Sequence, residues 1–172
     1  MPRGRGTPTR EENRAMWPTD WPSSARTIAT AVEAAVAAAH AADEPAFTEA
    51  VADLAELPAD QVSSVLAAIV RELLEIAHPD GLTGDDVRAV LEAVVRQSAT
   101  WFSRIDATAV VGALTGALGV DDANEPDYPA TNPQPAAVLL IAYLAGLARV
   151  PAQDSVRRAI DEIARAETVE MP

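Results

Sequence analysis

The segment Ala136 to Arg149 has apolar residues at nearly every position, AAVLLIAYLAGLAR, and carries no charge before its last residue. Its apolar positions run around the whole helical wheel instead of forming one stripe. A helix that is hydrophobic on every side is buried on every side or lies in lipid. We therefore expect this segment to be the central helix, with the other segments packed around it.

A second uncharged segment runs from Ala107 to Leu118, directly after a candidate capping residue, Asp106. Two uncharged helices in an acidic protein are expected to pack against each other as a buried apolar hairpin. Glycine lowers helix propensity by about 1 kcal/mol, so close packing has to offset that loss. The small residues that would allow a close approach are Gly112, Gly116, Ala142, Ala145 and Gly146.

The other helical patterns are one-sided, with apolar residues at the helical period and charged residues opposite. These amphipathic helices are predicted at about Ser24–Ala42, Pro45–Leu57, Pro58–His78 and Thr83–Trp101, and from Ala152 onwards. Ser23 or Ser24, Thr83 and Asp106 are the candidate N-caps. His40 suits the negative end of the first helix dipole. The pattern predicts an all-α fold: a compact bundle of six to seven helices around the apolar hairpin, forming one domain over residues 23–172.

A short α-solenoid is the alternative architecture. The helix junctions at Pro58, Asp106 and Pro151 are 48 and 45 residues apart, as read from their positions. Repeats of that length are typical of HEAT and armadillo hairpins. Alanine and valine recur by chance in so biased a composition, and we therefore expect the compact bundle.

Charge is distributed unevenly along the chain. Residues 1–26 contain five arginines and three acidic residues and so carry +2, whereas the whole chain carries −13; residues 27–172 therefore carry −15. A body this acidic repels phosphate backbones, which disfavours nucleic-acid binding through it.

Residues 1–22 are predicted to form a flexible arm, because they are rich in proline, glycine and arginine and show no periodicity. The arm contains two Trp-Pro pairs, at Trp17 and Trp21. Two interpretations are open. The indoles could fold back and cover the protein's own core, or they could dock into a partner protein, a use that suits large aromatic side chains.

The segment Gly119 to Pro135 is a proline-rich acidic loop between the two uncharged helices. Loops of this length are uncommon within domains and are often functional or disordered. Its candidate partner-binding residues are Asp121, Asp122, Asp127 and Tyr128. The acidic residues do not have the spacing of an EF-hand, so no metal site is predicted.

Several kinds of chemistry have no support in the sequence. The chain has neither cysteine nor lysine, which excludes thiol nucleophiles, disulfides, Schiff bases and the P-loop lysine. The two histidines lack HExxH-type spacing, and no serine lies in a G-x-S-x-G elbow. We therefore predict no catalytic residues and no cofactor.

The apolar run Ala136 to Ala148 is shorter than the roughly 20 residues that span a bilayer. The N-terminus lacks the apolar region of a signal peptide. A charge-free hairpin wrapped by amphipathic helices resembles the layout of colicin and Bcl-2-like pore-forming domains. However, a helix of this length reaches only about 21 Å against a hydrocarbon core of about 30 Å. We expect a soluble cytoplasmic protein without a membrane partner.

Three classes of function remain. The first is a non-enzymatic protein–protein interaction module that uses the acidic surface and the Trp-bearing arm, with a homo-oligomer among its forms. The second is a sensor or carrier of a small apolar ligand, with a pocket between Trp101, Phe102 and Tyr143. The third is an enzyme using the carboxylates of the loop, Asp121, Asp122 and Asp127. We expect the first class.

Overall fold

One apolar helix near the C-terminal end contacts every other helix of the chain that the structure describes. The computed structural model describes residues 17–120 and 132–169, with side chains through Ala166. These residues form seven helices and no strand. The helices are α1 Ser23–His40, α2 Glu44–Ala55, α3 Ala59–Ala77, α4 Gly84–Ala99, α5 Ala107–Ala117, α6 Gln134–Ala148 and α7 Ala152–Val169.

The helix at the centre is α6. It contacts α1, α2, α3, α4, α5 and α7, with α3 as its most extensive partner. Val138, Leu140, Ile141 and Leu144 have no exposed surface. The prediction that the charge-free segment from Ala136 forms the central helix is confirmed, and its burial follows from the lack of any polar face.

The other uncharged helix, α5, contacts α6 but buries only one of its faces. Val110 and Leu114 are fully buried, whereas 44% of Val111 is exposed. A Cβ added at Gly112, Gly116 or Gly146 would meet no atom of another element within 4 Å. The prediction that the two uncharged helices pack against each other is confirmed, whereas the expectation that α5 is shielded from water, with its glycines in close backbone contact, is wrong. The helix with the most extensive contact to α6 is the strongly amphipathic α3.

The packing order of the helices separates the two predicted architectures. The first helix, α1, contacts the last, α7, as well as α2 and α6. In a solenoid each repeat contacts only its sequence neighbours. The compact all-α bundle is therefore confirmed, and the solenoid alternative is wrong.

The two indoles before α1 belong to the core. Trp17 is 2% exposed and Trp21 is 6% exposed, and their rings stack with centroids 5.7 Å apart. The Trp21 Nε1–H donates to Asp161 Oδ1 on α7 at 2.9 Å. Of the two interpretations of the Trp-Pro pairs, the structure shows the one in which they cover the protein's own core. Residues 17–22 are thus packed on the body rather than free in an arm, while residues 1–16 lie outside the described residues.

Helix N-termini are capped mostly as the sequence predicts. Thr83 and Asp86 form a capping box at α4, and Asp106 accepts hydrogen bonds from Thr108 N and Ala109 N of α5 at 2.9 and 3.3 Å. The hydrogen bonds from the Thr83 side chain and backbone lower the pKa of the Asp86 carboxyl. The predicted serine cap of α1 is wrong, because Pro22 occupies the N-cap position and no side chain caps this helix.

Polar side chains form hydrogen bonds and an ion pair between helices around the apolar core. His40 Nε2 lies 2.8 Å from Ala142 O, which links α1 to α6. Arg71 Nε donates to Ala117 O at 3.0 Å, which satisfies a carbonyl at the end of α5. Arg158 of α7 pairs with Glu72 of α3.

No single helix among the described residues has both the length and the apolar composition of a membrane span. Counted together as one segment, α6 and residues 152–166 are long and apolar enough, but the two helices are bent by 114° relative to each other.

One carboxylate on α1 is buried without compensation. Glu33 is half-buried, and its Oε2 is buried with no hydrogen-bond partner in the described chain. Burial raises the pKa of this carboxyl above its usual value of 4.5, because a poorly solvated site disfavours the charged form. Ionised Glu33 therefore destabilises the native state.

We expect Glu33→Gln to raise the free energy of unfolding near neutral pH. The native state binds this proton more tightly than the unfolded state, so wild-type stability falls as pH rises from the unfolded pKa through the native one. The advantage of the variant should therefore disappear below about pH 4, where both states are protonated. Urea unfolding at several pH values measures the difference. Glu92→Gln, at an exposed glutamate of α4, is the matched control; an equal gain in both variants would contradict the expectation.

Candidate ligand-binding groove

A groove opens between α2, the connection from α4 to α5, and the first turns of α5 and α6. Its cavity volume is about 360 Å³. The residues that line it are Phe47, Thr48, Val51, Ala52, Ala55, Phe102, Arg104, Ile105, Asp106, Ala109, Asn132, Pro135, Ala136 and Leu139. Ten of these fourteen side chains are apolar, which makes the groove a place where an apolar group can leave water.

Two phenylalanines and a tryptophan form an aromatic cluster at one side of the groove. The ring of Phe47 meets Trp101 and Phe102 edge-on, at centroid distances of 5.3 and 5.1 Å. The ring centroids of Trp101 and Phe102 lie 5.8 Å apart. Edge-to-face pairs of this kind each contribute about 0.5–1.5 kcal/mol beyond area burial. The cluster therefore gives the groove a rigid aromatic wall to which Phe47 and Phe102 contribute directly.

The chain turn after α4 puts Phe102 and Arg104 on the groove. Trp101 N and Phe102 N both donate to Ser98 O, at 3.2 and 2.8 Å, and so turn the chain back at the end of α4. Asp106 then starts α5 as its N-cap. Three residues lie between Phe102 and this cap, and this short connection confines Arg104 to the rim.

Four polar side chains line the groove, and all four take part in hydrogen bonds. Arg104 donates to Thr48 Oγ1 at 3.0 Å, across the groove from the connection to α2. Asp106 caps α5. Asn132 Oδ1 accepts from Gln134 N at 3.0 Å, at the start of α6. The polar atoms therefore orient the walls, while most of the lining surface is apolar.

The described residues contain no group of three or more acidic, histidine or cysteine side chains that could hold a metal ion. The one carboxylate of the groove, Asp106, already accepts two hydrogen bonds from backbone N–H groups of α5. The arrangement of side chains in the groove is suited to binding an apolar molecule by burial.

The predicted site residues lie elsewhere. Trp17 and Trp21 lie in the core and do not line the groove. The loop candidates Asp121, Asp122, Asp127 and Tyr128 lie outside the described residues. Of Trp101, Phe102 and Tyr143, between which a pocket is predicted, Phe102 lines this groove and the other two do not.

Sequence reasoning missed Arg104 and Thr48 as groove residues. A usable signal existed for one of them: Arg104 is the only basic residue in the connection between α4 and α5. Thr48 carried none, since it is one of four polar residues on a helix whose inward face is marked by Phe47, Val51 and Leu54.

No protein-family model matches this chain, and no curated protein and no solved structure matches it either. The function of the groove is therefore argued from its own geometry.

Proposed function

We propose that this protein binds a small apolar molecule in the groove and acts as a carrier or sensor of it. The observation that carries the proposal is the cavity of about 360 Å³ with a mostly apolar lining. Small-molecule sites typically measure about 300–1,000 Å³ and combine apolar walls with a few placed polar groups. The groove has this composition, with Thr48, Arg104, Asp106 and Asn132 as its polar groups.

The burial of the indoles also favours this function over partner binding through the arm. Trp17 and Trp21 already stack on each other in the core, and Trp21 is hydrogen-bonded to Asp161. Docking them into a partner would expose the core surface that they cover, which costs about 25 cal/mol per Å² of apolar area. The groove requires no such rearrangement.

The uncharged fluorophore N-phenyl-1-naphthylamine tests ligand binding, because its emission rises in an apolar site. We expect saturable binding by the wild-type protein. Ala52 is an exposed residue of α2 that lines the groove, so Ala52→Phe should fill part of the cavity. We expect this variant to weaken binding at least about fivefold, because forcing extra atoms into an occupied site costs about 1–3 kcal/mol.

Ala34→Phe is the matched control, since Ala34 is an exposed alanine of α1 outside the groove. It should bind the fluorophore as the wild type does. Equal binding by the two phenylalanine variants, or no saturable binding by the wild type, would contradict the proposed function.

A second candidate function, protein–protein interaction, is favoured by the exposed face of α5. This helix carries no charge. The exposed fractions are 44% for Val111 on the helix, and 36% and 57% for Leu118 and Val120, which follow its C-terminal end. Contiguous exposed apolar surface is typical of interaction sites. In a chain of net charge −13, an uncharged face is where a second copy could approach with least repulsion.

If α5 is a dimer interface, sedimentation equilibrium should show a dimer whose population rises with protein concentration. Val111→Glu should shift the protein to monomer, because it places a carboxylate in each half of the interface. Ala34→Glu adds the same charge on α1 and should leave the dimer intact. A wild-type protein that stays monomeric over the whole concentration range would contradict this candidate.

A further inference from the structure

We propose that the ligand of the groove is an amphipathic monocarboxylate, whose apolar body lies between α2 and α6 and whose carboxylate binds Arg104. This inference rests on the proposed ligand-binding function and adds the chemical class of the ligand. Its occupant is thus a small organic anion of the fatty-acid or aryl-acid type.

The position of Arg104 supports this assignment. Its guanidinium carbon lies 5.7 Å from the centroid of the Phe102 ring, and one terminal nitrogen donates to Thr48 Oγ1 at 3.0 Å. The cation–π contact and the hydrogen bond hold the guanidinium over the apolar cavity. A ligand whose apolar end contacts Phe102 and Leu139 would then have its polar end near this cation.

Among the residues that the structure describes, Arg104 uses only a small part of its hydrogen-bonding capacity. A guanidinium has five N–H donors, and within the described residues Arg104 makes one hydrogen bond, one contact with an aromatic ring and no ion pair. By contrast, Arg88 pairs with Asp85 and Arg158 pairs with Glu72. The free donors of Arg104 suit the two oxygens of a carboxylate, which guanidinium groups bind in a bidentate manner.

The charges around the groove favour a single negative charge on the ligand. The carboxylate of Asp106 is committed to the N-terminus of α5, where the helix dipole offsets its charge. A cationic ligand would be repelled by the positive charge of Arg104. A dianion such as a phosphate ester would find one cation in the groove of a chain of net charge −13, so a monoanion fits best.

Displacement of N-phenyl-1-naphthylamine by octanoate and by octanol tests the ligand class. The two competitors share an apolar chain length and differ in charge. We expect Arg104→Gln to weaken displacement by octanoate about fivefold, the range of an exposed ion pair, and to leave displacement by octanol unchanged. Arg104→Lys keeps the charge and should retain most of the octanoate affinity. The difference should shrink at high salt.

Arg88→Gln, at an exposed arginine of α4 outside the groove, is the matched control. Unchanged octanol displacement shows that the Arg104→Gln groove is intact. Equal octanoate affinities in the wild type, Arg104→Gln and Arg88→Gln would overturn the carboxylate assignment and leave the proposed apolar binding standing.

If the fluorophore does not bind, direct calorimetric titration with octanoate tests both the ligand class and the proposed function. Saturable heat with an affinity about fivefold weaker in Arg104→Gln and unchanged in Arg88→Gln would support the assignment. The absence of saturable heat in the wild type would overturn both the assignment and the proposed function.

Discussion

The structure depends on the burial of a helix that has no polar face. A charge-free helix such as α6 gains free energy from every side that leaves water, at about 25 cal/mol per Å² of apolar surface. One amphipathic helix can cover only one of its sides. The chain therefore needs several covering helices, and all six of the others contact α6. The amphipathic pattern of α3 and α7 meets that requirement, since each has one apolar face and one polar, charged face.

The groove lies beside the first turns of α6. Ala136 and Leu139 of these turns line it, although they are nearly fully buried. The aromatic cluster of Phe47, Trp101 and Phe102 forms the side wall. An apolar ligand would therefore cover mainly the exposed lining residues of α2, Ala52 and Ala55. Ligand binding, like folding, would be driven by the removal of apolar surface from water.

Local patterns determined which features of this fold were predictable. The centrality of α6 followed from the absence of charge over a whole helix, and the caps at Thr83 and Asp106 followed from residue type and position. The exposure of α5 did not follow, because its outward positions carry small uncharged residues such as Gly112 and Gly116, which leave no polar stripe to indicate the surface. Absence of charge thus identifies a buried helix reliably only when the side chains are large, as in α6.

The groove could not be predicted, for a different reason. Its walls come from residues 47–55, 102–109 and 132–139, and no local periodicity records which separated segments meet. The aromatic residues predicted around a pocket were Trp101, Phe102 and Tyr143. Of these, Phe102 lines the groove, and Phe47, which also lines it, was not predicted. The sequence likewise did not determine the position of the Trp17 and Trp21 side chains, since Trp-Pro pairs suit either a partner protein or the protein's own core. Only tertiary packing distinguishes these outcomes.

Native-state hydrogen exchange across a urea series tests the central position of α6 most directly. If all the covering helices depend on α6, its amides at Leu140 and Leu144 should exchange only through global unfolding, with an opening free energy equal to that of urea unfolding. The amide of Val111 on α5 should open at lower free energy. Exchange of the α6 amides through a local opening, at lower free energy than the amides of α3, would contradict the account.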